Sequence, residues 1–580
     1  MERKHLSEKK VVYVRCTAPL RSVRTTIGAF VIGSGLAIMS PGTSEAVQVV
    51  QGVDVKVTLD NNNVDAGFAT PSFDGRNSQQ NETSVAISPV NPNVVAIASN
   101  DLRLFNFFAG GAGTTSNWMG LNVSVDEGAT WFNTMIPGFP ADTSPAGLDS
   151  PVKGMQGQSD PTIRFDAGGN LYVSALAFVS QPVPGVTPVP DNMVFVAKYL
   201  YTPGSPGGLS TPNSAANPPD FTYDFTTIAG RGARFNLPDP AFFRTGKQPG
   251  RLEDKPWMAL DTNASSPCFR NIYVAWNGFT GNAGAIPVLL SRSTDGGVTF
   301  SQPVQISQKG QEGSQSTEGS NLTVGSDGRI YVSYRAFGSN PSDPPTHIDI
   351  ARSRDCGKHF ETPVTAAAGF SPMRGVETGL SFRTPTFAGI AADDTDPDAV
   401  YVAYMAKTGN PANADIFVVR SPDGGDTWEA PVKVNDDSTS KHQFFPTIAV
   451  SNGVLHVAWY DLRDSPNPDN PAETNDVLNV YYASSNTSGI PYPAFSPNFR
   501  VSDVGQQPNC RFGVSGFMGD YIELAARFDG VNHIVHLAWA DNRDIPSTKC
   551  DLDPASGPSG DRFIGQRNQN VYADRLVVAP

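Results

Sequence analysis

The stretch RSPDGGDTWEAP, residues 420–431, closes an apolar run with an aspartate, two glycines and a Thr-Trp pair. Alone it fits a Ca²⁺ loop, a catalytic aspartate or a hairpin. Its recurrence decides. SVDEGATW (Ser124–Trp131), STDGGVTF (Ser293–Phe300), SRDCGKHF (Ser353–Phe360) and SPDGGDTW (Ser421–Trp428) share the pattern S-x-D-x-G-x-T/H-W/F. One spacing kept in four copies marks a repeat architecture. The aspartate accepts hydrogen bonds from turn N–H groups, and the glycine supplies a positive φ. The aromatic residue packs under the sheet. Glycines stand where a Ca²⁺ loop needs oxygen ligands. Asp126, Asp295, Asp355 and Asp423 are therefore read as structural.

The flanks repeat as well. Alternating runs rich in Val, Tyr and Trp precede the motif: NIYVAWNGF, RIYVSYRAF, AVYVAYMAK, LHVAWYDLRD and IVHLAWADNRD. They read as strands. A shorter apolar strand precedes each of these: NETSVAISP (81–89), SDPTIRFD (159–166), DKPWMALD (254–261), GSNLTVGS (319–326), RTPTFAGIA (383–391), FFPTIAVS (444–451) and GDYIELAA (519–526). Seven starts, roughly 60 to 95 residues apart, predict an all-β, seven-bladed β-propeller of four-stranded antiparallel blades, strands A to D, with six blades as the alternative count. Blades two, six and seven keep only decayed copies of the motif, at AKYLYTPG, SSNTSGIP and ADRLVVAP. The last module lacks a fourth strand, and VQGVDVKVTLD (50–60) is expected to close the ring there, which removes exposed sheet edges. No sustained 3.6-residue periodicity predicts helix. Residues 201–220 and 464–475 read as long surface loops.

Composition agrees with a turn-rich β protein: 55 Gly and 48 Pro in 580 residues, with 17% charged. A net charge of −14 excludes nucleic acid or an anionic membrane as the main partner. Basic residues up to Arg24, the apolar stretch IGAFVIGSGLAIM (27–39) and a small-residue segment ending at Ala46 form a secretory signal pattern. The expected organisation is a signal over 1–46, an N-terminal segment over 47–80 and the propeller over 81–580, in an exported protein. Of the cysteines left after signal removal, Cys510 and Cys550 share a module and are the preferred disulfide, with Cys268–Cys356 the second choice. There is no CxxC and no Cys/His cluster, so no zinc site and no cofactor is expected. DDTDPD (393–398) is acidic enough for a structural Ca²⁺ but reads as a solvated A–B turn.

The repeated motif resembles the Asp-box, or BNR repeat, of the sialidase (neuraminidase)-like superfamily, at the level of blades over nearly the whole chain after residue 80. In that family the motif is the C–D hairpin and ligands bind on the opposite face, where strands A start and strands B end. On that face this sequence places three D-x-R pairs: Asp101 with Arg103, Asp461 with Arg463, and Asp541 with Arg543. Arg335, Asp160, Glu253, Asp254, Glu318, Arg383, His442, Asp520 and Tyr521 join them. Guanidinium forks suit a planar carboxylate, and paired carboxylates suit acid–base work on a glycosidic bond; ion pairing that merely fixes loops is the plainer alternative. The nearest match to the family's F/Y-R-I-P motif is FRTP (Phe382–Pro385), in the fifth blade. The resemblance implies a carboxylate clamp of Arg383, Arg463 and Arg543, with Arg103 and Arg335 as further binding residues. It also implies a nucleophile at Tyr521 and an acid/base at Asp520 or Glu318.

Three functions follow as expectations. The first is a sialidase-like glycoside hydrolase on acidic glycans. The second is a non-catalytic propeller binding glycan or protein. The third is a lyase on uronic-acid polymers, with Tyr460, Tyr521 or His442 as base. His456 and His536, at matching strand-B positions, read as packing residues.

Overall fold

The computed structural model describes residues 48–58, 79–104, 117–178, 192–211, 213–231, 252–279, 286–307, 315–338, 346–373, 375–408, 413–470, 476–487, 494–510, 517–545 and 568–579. The signal pattern at 1–46 and Cys550 lie outside them.

Twenty-nine strands form seven antiparallel sheets. Two short strands lead, β1 (Val49–Gln51) and β2 (Val55–Lys56). Blade one is β3 (Gln80–Ile87), β4 (Val95–Asp101), β5 (Trp118–Ser124) and β6 (Phe132–Met135). Blade two is β7 (Gly157–Phe165), β8 (Leu171–Phe178), β9 (Asn192–Tyr201) and β10 (Phe221–Arg231); blade three is β11 (Leu252–Leu260), β12 (Ile272–Phe279), β13 (Val288–Ser293) and β14 (Val304–Gln305). Blade four is β15 (Gln315–Val324), β16 (Ile330–Gly338), β17 (His347–Ser353) and β18 (Val364–Ala368); blade five is β19 (Gly389–Ala392), β20 (Val400–Thr408), β21 (Asn413–Ser421) and β22 (Val432–Lys433). Blade six is β23 (Gln443–Ser451), β24 (Val454–Asp461), β25 (Asn479–Asn486) and β26 (Phe499–Arg500). Blade seven takes β27 (Glu523–Phe528), β28 (His533–Asp541) and β29 (Asn570–Val578) from the C-terminal part, and its outer edge from β1 and β2, which both pair with β29. The fold is a seven-bladed β-propeller closed by N-terminal strands. One helix, α1 (Pro145–Asp149), occurs among the described residues.

The apolar runs are continuous because the strands are covered on both faces. In β20, Val400, Val402 and Tyr404 enter the core shared with blade four, and Tyr401, Ala403 and Met405 enter the core shared with blade six. Trp118, Trp276, Trp459 and Trp539 are fully buried between blades, and the last three donate their indole N–H to Glu253, Asp461 and Asp541.

All four repeated hairpins are built alike. The serine hydroxyl donates to the aspartate at 2.7–3.0 Å, and the glycine N–H donates back to that hydroxyl at 2.7–2.9 Å. The threonine donates from both its backbone N–H and its hydroxyl to the aspartate, as Thr427 does to Asp423 at 2.8 and 2.6 Å. His359 takes that place on Asp355. The residue before the glycine is left-handed too, even where it is Glu127 or Cys356.

The disulfide among the described residues is Cys268–Cys356, spanning 88 positions. It joins the A–B turn of blade three to the C–D hairpin of blade four, so those two kinds of turn share a face. Cys510 is also disulfide-bonded. In DDTDPD the carboxylates serve the turn and its neighbours: Asp393 accepts from Thr395 and Asp396, Asp394 from Asn452 and Gly453, and Asp398 pairs with Arg329. Among the described residues no group of three or more His, Cys, Asp or Glu is arranged to hold a metal ion.

Candidate functional site

The inner strands carry a feature that recurs from blade to blade. The A–B register slips at the start of strand A between Asn81 and Ser84, Ser159 and Thr162, Asp254 and Trp257, Glu318 and Asn321, and Phe444 and Thr447. Each bulge holds one residue at positive φ: Glu82 (53°), Asp160 (58°), Lys255 (49°), Gly319 (68°) and Phe445 (53°). Left-handed backbone at four residues with side chains is costly and is held by the surrounding fold. Gly319 has a steric reason: a Cβ there would lie 2.0 Å from the Phe387 ring.

The bulges bring charged side chains together on the axis. Lys255 Nζ lies 2.5 Å from Asp520 Oδ2, and 3.8 Å from both Glu82 and Asp160. Arg383 grips Asp520 with two N–H groups, one at 2.8 Å. Asn100 donates to Glu82 at 2.6 Å and accepts from the Asp160 N–H at 3.1 Å. Glu82, Asp160, Lys255 and Asp520 are buried and Asp254 is half-buried, whereas the Arg383 side chain is 54% exposed beside Phe517. The cluster therefore opens toward solvent through Arg383 and Asp254.

Burial raises Glu82 well above the usual carboxylate range, and the charge of Asp160 adds to the rise. Burial pushes Asp254 up to about 8 against the pull of Lys255, again with Asp160 adding to it. Burial opposes ionisation of Asp160 too. There Lys255 and hydrogen bonds from Glu82, Asp254 and Ser159 outweigh it and hold the carboxyl well below its ordinary value. Burial works against the Lys255 ammonium, but Asp160, Asp520, Glu82 and Asp254 raise it above its ordinary value. The site thus sets a carboxyl that ionises readily, Asp160, beside two, Glu82 and Asp254, that burial makes harder to ionise.

Of the residues expected from sequence, the fold gathers Asp160, Asp254, Arg383, Asp520 and Tyr521 here. Glu318 and Arg335 pair with each other one layer away, Arg335 lying 5.8 Å from the Phe387 ring that also covers Lys255. The Tyr521 hydroxyl donates to the Pro161 carbonyl at 3.1 Å rather than to a carboxylate, and its ring meets Trp257 edge-on. Burial, with Glu82 adding to it, holds that phenol well above its ordinary value.

The expected convergence of the D-x-R pairs is corrected by the geometry. Arg103 folds back onto Asp101 and is buried. Arg463 holds Asp461 (2.7 Å) and Asp436 (2.7 Å) over the Tyr481 ring. Arg543 holds Asp541 (2.7 Å) and Asp54 (2.8 Å) over the Tyr572 ring. Each guanidinium is thus held by the aspartate ending its own strand B and by one in the connection after β22 or between β1 and β2, and both are engaged away from Arg383. Sequence reasoning missed Glu82 and Lys255 as site residues. The available signal was their matching place in NETS, SDPT and DKPW, at the second residue of each strand-A start.

No protein-family model and no curated protein matches the chain. Several solved structures are similar to the chain at low identity. A protein of unknown function from Dyadobacter fermentans is 12% identical, covering 91% of this chain and 99% of that one, with a TM-score of 0.38. The Trypanosoma rangeli sialidase in complex with DANA is 9% identical over 74% of this chain and 59% of that one, with a TM-score of 0.40. The α-L-arabinofuranosidase Arb93A from Fusarium graminearum is 10% identical over 90% and 97%, with a TM-score of 0.40. Similarity at this level transfers neither residues nor chemistry, and the propeller stands on its own strand pairing.

Proposed function

We propose that the protein is an exported, sialidase-like propeller that hydrolyses glycosidic bonds in acidic glycans, with its chemistry in the Lys255 cluster. The carrying observation is a half-buried carboxyl held protonated at neutral pH, Asp254, hydrogen-bonded to a carboxylate held ionised, Asp160, beside the exposed Arg383 guanidinium. Asp254 is the proton donor to the leaving oxygen, and Asp160 is the negative charge that stabilises an oxocarbenium-like centre. Arg383 receives the anionic group of the sugar, exchanging part of its hold on Asp520 for it. The four hairpins support the Asp-box class, and the pattern of residues 1–46 supports export.

The non-catalytic alternative rests on two observations. Asp520 already engages the Arg383 guanidinium, and Tyr521 is spent on a backbone carbonyl. The lyase reading loses its bases, since Tyr460 is fully buried with its hydroxyl on the Ala540 carbonyl and His442 is buried. The purified protein, assayed on sialoside and uronide reporters for new reducing ends and for unsaturated products, separates the three. Hydrolysis lost in Arg383→Ala supports the proposal. Glycan binding without turnover selects the second reading, and unsaturated product the third.

A further inference from the structure

Beneath the charged cluster runs a cavity of about 490 Å³ that strand A of every blade lines. Its floor is the underside of the cluster: Lys255 lies over the rings of Phe387 (5.4 Å) and Tyr521 (6.0 Å), and Trp257 stands edge-on to Tyr521 at 5.5 Å. Its rim lies at the far ends of strands A, where Pro89 and Thr262 are exposed. The well therefore opens on the hairpin face, opposite Arg383, and its floor is closed by buried side chains.

The wall's side chains are mostly aliphatic and aromatic. Glu523 within it is neutralised, since Arg164 binds it at 2.7 Å and the Val85 N–H donates to it at 3.1 Å. One charge is left over. The Arg527 side chain, on β27 near the rim, makes no hydrogen bond or ion pair among the described residues; its Nε is buried without a partner, and the carboxylate it acts on is that of Asp529, two residues on. A well of mixed polar and apolar lining, with one guanidinium free of side-chain hydrogen bonds near its mouth, has the makeup of a site for an amphiphilic anion. Burying an apolar body against the rim-side wall, where Ile87, Leu260, Val324 and Val450 lie, supplies the affinity, and a charge-assisted hydrogen bond to Arg527 fixes the orientation.

We propose that this well binds a small apolar organic anion, ring-bearing and entering from the hairpin face, with its acidic group on Arg527 and its rings toward Trp257. The site is separate from the Lys255 cluster and does not depend on the glycan reading.

Two fluorescent probes with nearly the same rings test it on the full chain: 8-anilinonaphthalene-1-sulfonate, which is anionic, and N-phenyl-1-naphthylamine, which is neutral. The expected result is one sulfonate per chain. Arg527→Gln weakens the sulfonate about tenfold, Arg527→Lys restores part of it, and neither changes the amine. Val450→Trp, which fills the rim, weakens both probes. Thermal melts of the variants report whether the fold is kept. If Arg527→Gln binds the sulfonate as wild type does, the anion site is overturned. If Val450→Trp melts like wild type and binds both probes unchanged, the well is not where they bind.

Discussion

At the residue scale, Lys255 decides whether the axis holds together. Its ammonium is the buried cation beside Asp520 and Asp160, with Glu82 also 3.8 Å away. Removing one member of a buried ionic network leaves the others uncompensated. Lys255→Met is therefore expected to lower unfolding free energy by about 3–5 kcal/mol in a urea titration. Asp423→Ala is the contrasting case. It removes hydrogen bonds from an exposed hairpin, so a loss of about 1 kcal/mol is expected, with turnover unchanged. The hairpin aspartates were legible because four copies shared one spacing. Lys255 was not, because its neighbours come from Glu82, Asp160 and Asp520, in three other blades. A strand start such as DKPW records nothing of that company.

At the element scale, the bulge at the start of strand A does the positioning. In three blades its left-handed residue precedes a proline: Asp160-Pro161, Lys255-Pro256 and Phe445-Pro446. A residue before proline ordinarily prefers extended backbone, so local preference points away from what the closed ring imposes. That conflict explains why strands were readable from alternation while the direction of their first side chains was not. The closure of blade seven, around β29 and the β1–β2 connection, carries a second tension. Burial raises Asp54 to about 6 against the pull of Arg543, and raises Asp574 to about 8, with the charge of Asp54 adding to it. Both values exceed the unfolded value of about 3.9, so the folded state holds these protons more tightly. The stability they lend is complete below that value and is lost as pH rises toward 8. Melting temperature measured from pH 5 to 9 is expected to fall less steeply in Asp574→Asn than in wild type. An unchanged slope would count against this reading of the closure.

At the scale of the whole molecule, the chain closes its ring with its own N-terminal strands. Deleting everything through Lys56 strips β29 of β1 and β2 and exposes a sheet edge. A lower melting temperature and concentration-dependent association on size-exclusion chromatography are expected. Blade number and the face of the hairpins followed from the repeat, because every blade answers the same packing problem. The D-x-R pairs misled for the same reason. A repeated Asp-Arg at strand ends is also what a propeller uses to tie down neighbouring connections, as Asp436 after β22 and Asp54 between β1 and β2 show.

Whether Asp254 donates a proton in glycoside cleavage is decided by the pH dependence of kcat/KM on the best acidic-glycan substrate, for wild type and Asp254→Asn. Wild-type activity is expected to fall above about pH 8 as Asp254 loses its proton, and the variant to lose about 10²-fold or more. A variant as active as wild type, or a wild type that cleaves no acidic glycan at any pH, would contradict it.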